Sequence, residues 1–229
     1  MNSFRVVLAA CTLLAAEARA DFDQANAAFA EKRYTEAASG YEAVIQNRGY
    51  SAPILFNLGN AYYLDDKLGR AILNYERAQL LAPRAADIVS NLDAARRKAG
   101  ISPQPTHWLS ADELSWLGSL VAILVGAGLL NRQITGRGGW GWVAASGVAL
   151  VAVMIALLLR FPDHGRAIVV GKTVPVYIAP VTVTQPLFTL TEGQPVSIQK
   201  VNGDFLLVDA GNGRRGWVTP SAVERVTPM

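Results

Sequence analysis

Few side chains in this chain are spaced for catalysis. Its two histidines, His107 and His164, stand far apart, one beside Trp108 and one beside Asp163. They read as residues flanking apolar segments and not as general bases. Paired acids occur at Asp65-Asp66 and Asp112-Glu113, where a solvated loop and a helix start explain them. No H-E-x-x-H, G-x-S-x-G or phosphate-binding loop is present, and no strand precedes the glycine-rich Gly136–Gly139. The one cysteine, Cys11, lies in an N-terminal apolar run. No spacing suggests metal ligation or a cofactor site. The residues read as those of a non-enzyme, with no catalytic, metal or cofactor group.

Binding chemistry is better supplied. Phe22, Asn26 and Phe29 recur 34 residues later as Phe56, Asn60 and Tyr63. Each trio has i, i+4, i+7 spacing and so forms one stripe on a helix. An asparagine flanked by aromatics can hydrogen-bond a peptide backbone while the rings hold apolar side chains. The other reading is that the aromatics complete the packing of a short array. No lysine stands beside the asparagines, which argues against a carboxylate clamp.

The elements that must position these stripes follow from the same period. Ser51–Pro83 carries Leu58-Gly59, Tyr62, Ala71, Tyr75, Ala78 and Pro83, the tetratricopeptide spacing. Gly59, Ala71 and Ala78 are small where two antiparallel helices approach, Leu58, Tyr62 and Tyr75 fill the space between them, and Pro83 stops the second helix. Ala37 and Tyr41 stand 34 residues before Ala71 and Tyr75, so a second helix starts near Tyr34 and a first spans Phe22 to Glu31. Asn57-Leu58 recurs as Asn91-Leu92, beginning a third half-repeat that turns polar at Arg96-Arg97-Lys98, as an outer cap should. Residues 21–100 are expected to be an all-α repeat of two helical pairs and a cap.

The mean hydropathy of +0.23 sends attention to apolar segments. Arg5, the run Val6 to Ala16 and Ala18-Arg19-Ala20 have the layout of a secretion signal over residues 1–20. Cys11 after Leu8-Ala9-Ala10 formally resembles a lipid acceptor, but the apolar run before it is short. After a linker over 101–113, the uncharged stretches 114–130 and 140–159 read as a two-helix transmembrane hairpin. Trp108, Trp116, Trp140 and Trp142 stand near their ends, and the stripes Gly118/Ala122/Gly126 and Gly141/Ala145/Ala149 suit close helix contact. The loop Asn131 to Gly139 carries Arg132 and Arg137 and no acid. The expected place is a bacterial inner membrane, with both terminal parts in the periplasm. The full chain carries +3, and loss of residues 1–20 leaves +2 with no basic block, which excludes nucleic acid as a partner.

From residue 167 to 229 short β-like runs alternate with turn residues. The candidate strands are Ala167–Val170, Val174–Ile178, Leu187–Leu190, Val196–Lys200 and Phe205–Val208, and the segment ends in Gly216-Trp217-Val218 and then Ala222-Val223-Glu224. Their order resembles a small all-β bacterial SH3-like barrel. Trp217 reads as a core and rim residue, and Tyr177, Phe205 and Trp217 offer an alternative aromatic groove for a peptide.

The order of signal, tetratricopeptide pair, membrane hairpin and barrel resembles the BatE family of the bacterial aerotolerance operon. FNLGNAYYLDDKLGRAILNYERAQLLAP over residues 56–83, followed by Asn91-Leu-Asp-Ala-Ala-Arg96, carries the resemblance. It implies a non-enzymatic membrane scaffold associated with von Willebrand A-domain proteins and, indirectly, a MoxR-type ATPase, in stress tolerance. The competing expectation is a peptidoglycan-binding module that recruits an envelope enzyme.

Overall fold

The computed structural model describes residues 21–102, 111–135, 144, 147–155, 165–181 and 185–227. The expected leader over residues 1–20, Cys11 and both histidines lie outside the described residues. Residues 1–106 and 165–229 make one compact unit, and residues 107–164 make a second.

The first unit starts with five helices: α1 (21–30), α2 (Tyr34–Arg48), α3 (Ala52–Leu64), α4 (Leu68–Leu81) and α5 (Ala86–Lys98). Local chemistry sets their limits. The Ser51 hydroxyl accepts from Ile54 N at 3.5 Å, and Pro53 fits the donor-free first turn of α3. α4 stops two residues before Pro83. The same left-handed turn ends α1, α3 and α5, with Lys32 at φ 62°, Asp66 at φ 57° and Gly100 at φ 72°. In each turn the next amide reaches back to close it: Arg33 N to Ala28 O at 2.9 Å, Lys67 N to Tyr62 O at 2.9 Å, and Ile101 N to Arg96 O at 2.8 Å. The 34-residue period of the sequence is thus a period of backbone geometry. Buried Ala25, Ala28, Ala37, Tyr41, Leu58, Tyr62, Ala71, Tyr75, Leu92 and Ala95 fill the space between helices.

Among the described residues, this unit also holds seven strands: β1 (Arg166–Val169), β2 (Thr173–Val176), β3 (Phe188–Thr191), β4 (Pro195–Asn202), β5 (Phe205–Asp209), β6 (Arg215–Val218) and β7 (Val223–Arg225). All neighbours are antiparallel, in a five-stranded sheet ordered β6-β5-β4-β1-β7 and a two-stranded sheet β2-β3. A bridge between Tyr177 and Trp217 joins the two sheets. Alternation along each strand turns Val174, Val176, Leu190, Val196, Leu206, Val208 and Val218 into a shared core.

β1 shows how strands and helices meet. Ala167 and Val169 belong to the strand core, whereas Ile168 joins the helical core with Val226. Ala167–Val169 is apolar throughout because it is covered on both faces. Opposite it, α4 is buried continuously from Ala71 to Tyr75 and on to Glu76. The approach is close at two glycines. A Cβ on Gly69 would lie 2.4 Å from Val169 O, and one on Gly193 would lie 2.6 Å from the Ile72 Cδ1. Gly193 also has φ +82°, in the region that disfavours side chains.

The expected fold class, a multi-domain membrane protein built around a transmembrane hairpin, is corrected. Among the described residues, no helix is long and apolar enough to cross a membrane. The second unit holds α6 (Ala111–Thr135) and a helical stretch over 147–155. α6 takes in Asp112-Glu113 and Asn131-Arg132-Gln133, so the run between these polar ends is Leu114–Leu130. Those 17 residues reach about 25 Å, short of a ~30 Å hydrocarbon core. The expected loop Asn131–Gly139 is also corrected, because α6 continues through its first five residues to Thr135. The remainder of 140–159 lies outside the described residues.

Gly69→Ala tests the close contact of helix and strand. Overpacking at this site should cost about 1–3 kcal/mol, seen as a lower urea-unfolding midpoint by circular dichroism. An unchanged midpoint would show that α4 and β1 are not in contact.

Candidate partner-binding groove

A groove of about 240 Å³ opens on the array between α1, α3 and α5. Phe29, Asn60, Tyr63, Leu64, Tyr75, Asn91 and Ala94 line it. Three of the six residues in the sequence stripes, Phe29, Asn60 and Tyr63, therefore come together here. Leu64, Tyr75, Asn91 and Ala94 were not among them. Leu64 is 48% exposed and invisible as a site residue because a leucine ending a helix usually reads as packing. Asn91 did carry a signal, since it repeats Asn57 at the 34-residue period.

The asparagines are engaged inside the array. Asn60 Oδ1 accepts from the Tyr75 hydroxyl at 2.6 Å and from Asn91 Nδ2 at 2.9 Å. One repeat earlier, Asn26 Oδ1 accepts from the Tyr41 hydroxyl at 2.7 Å and more weakly from Asn57 Nδ2 at 3.5 Å. Each carbonyl thus ties its own helix to the next helix and to the following repeat. Among the described residues this leaves Asn60 Nδ2 and Asn91 Oδ1 uncommitted, a donor and an acceptor in a largely apolar groove. That pair matches the needs of one peptide unit, which offers a C=O and an N–H.

The remaining aromatics divide by role. Phe22 and Phe56 hold equivalent places, with ring centroids 5.9 Å from Tyr41 and 5.9 Å from Tyr75 respectively. Both are half-buried against the helical core, so they support the hydrogen-bonding tyrosines. Phe29 meets Tyr34 edge-on at 5.5 Å. Lys98 stands over the Tyr63 ring at 5.0 Å while its ammonium lies 2.8 Å from Asp66. That hydrogen bond from Lys98 holds the Asp66 carboxyl below its usual range. The rim cation is therefore already matched.

On the strands, Tyr177 and Trp217 exchange both backbone hydrogen bonds at 2.8 Å. Trp217 pairs with Leu207 on β5, and Phe205 stands two residues along that strand. Leu206 and Val208 point into the core, so Phe205 and Leu207 face outward together. Tyr177, Phe205 and Trp217 consequently share an outer, half-buried face. Among the described residues, no group of three or more His, Cys, Asp or Glu is placed to hold a metal ion. Compared with known proteins, the chain matches no family model, and no curated protein matches it.

A second polar cluster lies beside the array. The Tyr62 hydroxyl donates to Glu42, and Arg70 Nη1 donates to Tyr62 at 3.1 Å. Burial, aided by the bond to Glu42, pushes the Tyr62 phenol up to about 12. Burial also raises the Tyr41 and Tyr75 phenols. The unfolded chain loses these protons near pH 10, before the folded one does, so stability falls as pH rises from 10 toward 12. Urea midpoints measured from pH 8 to 11 should drop, and Tyr62→Phe should make the drop shallower. An equal drop in the variant would remove Tyr62 as its source.

Proposed function

We propose that the chain is a non-enzymatic adaptor that holds an extended segment of a protein partner in the groove between α1, α3 and α5. The observation that carries this reading is the uncommitted Asn60 Nδ2 and Asn91 Oδ1 set among Phe29, Tyr63 and Leu64. A backbone unit satisfies both polar atoms, and a large apolar side chain fills the space between the walls. The resemblance of residues 56–83 to aerotolerance scaffolds supports the same class, with von Willebrand A-domain membrane proteins as the partners it implies.

The hydrogen bonds decide which substitutions test this. Asn60→Ala removes the acceptor of two internal hydrogen bonds, so it weakens the fold as well as the groove. Tyr63→Ala with Leu64→Ala removes two walls without breaking either hydrogen bond of Asn60, although it also takes away the ring under Lys98. Random peptides displayed on phage should be enriched by the immobilised full-length chain and bind the double variant at least about tenfold more weakly, with helicity unchanged; such a loss is about 1.4 kcal/mol. Failure to enrich any peptide, or equal binding by the variant, contradicts the adaptor reading. Retention on purified cell wall that is lost with Trp217→Ala instead would move the working surface to the outer face of the strands.

A further inference from the structure

α5 begins a third repeat that has no second helix among the described residues of its unit. It ends in the same turn as α1 and α3, with Gly100 where Lys32 and Asp66 stand. After Lys32 and Asp66 the chain enters α2 and α4; Gly40 brings α2 close on Ala25 of α1, and α4 packs on α3. After Gly100 comes Ile101, which packs with Ala99 against the β3–β4 turn at Gly193. Arg96, in the last turn of α5, donates to the buried Glu76 carboxylate at 2.9 Å. Arg166 of β1 grips the same carboxylate twice, from Nε and Nη2, each at 2.9 Å. The β unit thus meets the end of α5 at a carboxylate and at an apolar turn.

We propose that the strand assembly packs on α4 and α5 and positions α5, which forms the Asn91 and Ala94 wall of the groove. Arg166 and Gly193 act as positioning residues. Arg166 fixes Glu76, and through it Arg96. Gly193 lets the β3–β4 turn reach Ile72, Ala99 and Ile101 without a side chain in the way. The groove then keeps its width only while the strands are docked. The functional consequence rests on the adaptor reading, but the placement of α5 does not, and the two can fail separately.

Hydrogen exchange on the full-length chain, followed by mass spectrometry, tests it. In Arg166→Gln, amides of α5 should exchange at least about tenfold faster, while those of α1 and α2 stay within about twofold of the parent. Arg166→Lys keeps a cation beside Glu76 and should recover part of the protection. Gly193→Ala leaves Arg166 in place and should produce the same selective loss through the apolar turn. Unchanged α5 protection in both Arg166→Gln and Gly193→Ala overturns the proposal. A uniform rise from α1 to α5 also overturns it, because the array would then open as a whole. Amide exchange is read without any peptide present, so a groove that binds nothing leaves this result intact.

Discussion

One buried carboxylate, Glu76, ties the two kinds of secondary structure together. It is only 6% exposed and lies between Arg96 of α5 and Arg166 of β1. Such a group adds little net stability over an apolar replacement, but removal of one partner strands a charge at a cost of about 3–5 kcal/mol. Its effect is therefore on register: α4, α5 and β1 satisfy it in one relative placement. Around it other contacts agree. Glu192 Oε1 accepts from Gly69 N at 2.9 Å, which caps α4 from the strand side where Lys67 supplies no side-chain cap. Arg77 donates to the carbonyls of Arg225 at 2.7 Å and Val226 at 3.2 Å and pairs with Glu224. Those carbonyls belong to the end of an outer strand, so the same arginine blunts an edge open to pairing.

α4 is consequently the centre of the unit. One side carries Tyr75, the floor of the groove, and the other carries Gly69, Ile72, Glu76 and Arg77, which meet the strands. A helix enclosed this way has no solvent face to spare, which explains the unbroken burial from Ala71 to Glu76. Asn74 is buried in that stretch. Its Nδ2 donates to Arg70 O at 2.8 Å, and its Oδ1 has no hydrogen-bond partner among the described residues. No contact explains that oxygen.

Much of the local structure was legible in the sequence. The start of α2 at Tyr34, the end of α4 before Pro83 and the first five strand positions follow from spacing, turn residues and alternation, with limits shifted by a residue or two. The internal work of Asn26 and Asn60 was not, because an asparagine on a helix stripe looks the same whether its carbonyl meets a ligand or Tyr41 and Tyr75. The docking of strands on α4 was hidden for a different reason. Glu76 and Arg166 are separated by 90 residues, and each alone resembles a surface charge. The continuous apolar run at β1 was the one available sign of burial on both faces. The transmembrane hairpin is the part of the reading that the structure corrects, since among the described residues no helix is long and apolar enough to cross a membrane.

The most direct measurement of the link between helices and strands is a double-mutant cycle on the full chain, with Glu76→Gln and Arg166→Gln unfolded in urea singly and together. If α4 and β1 share the Glu76 carboxylate, the two changes are non-additive, with a coupling of about 0.5–3 kcal/mol. Additivity to within about 0.3 kcal/mol would place the two side chains out of contact and separate the strands from the helical array.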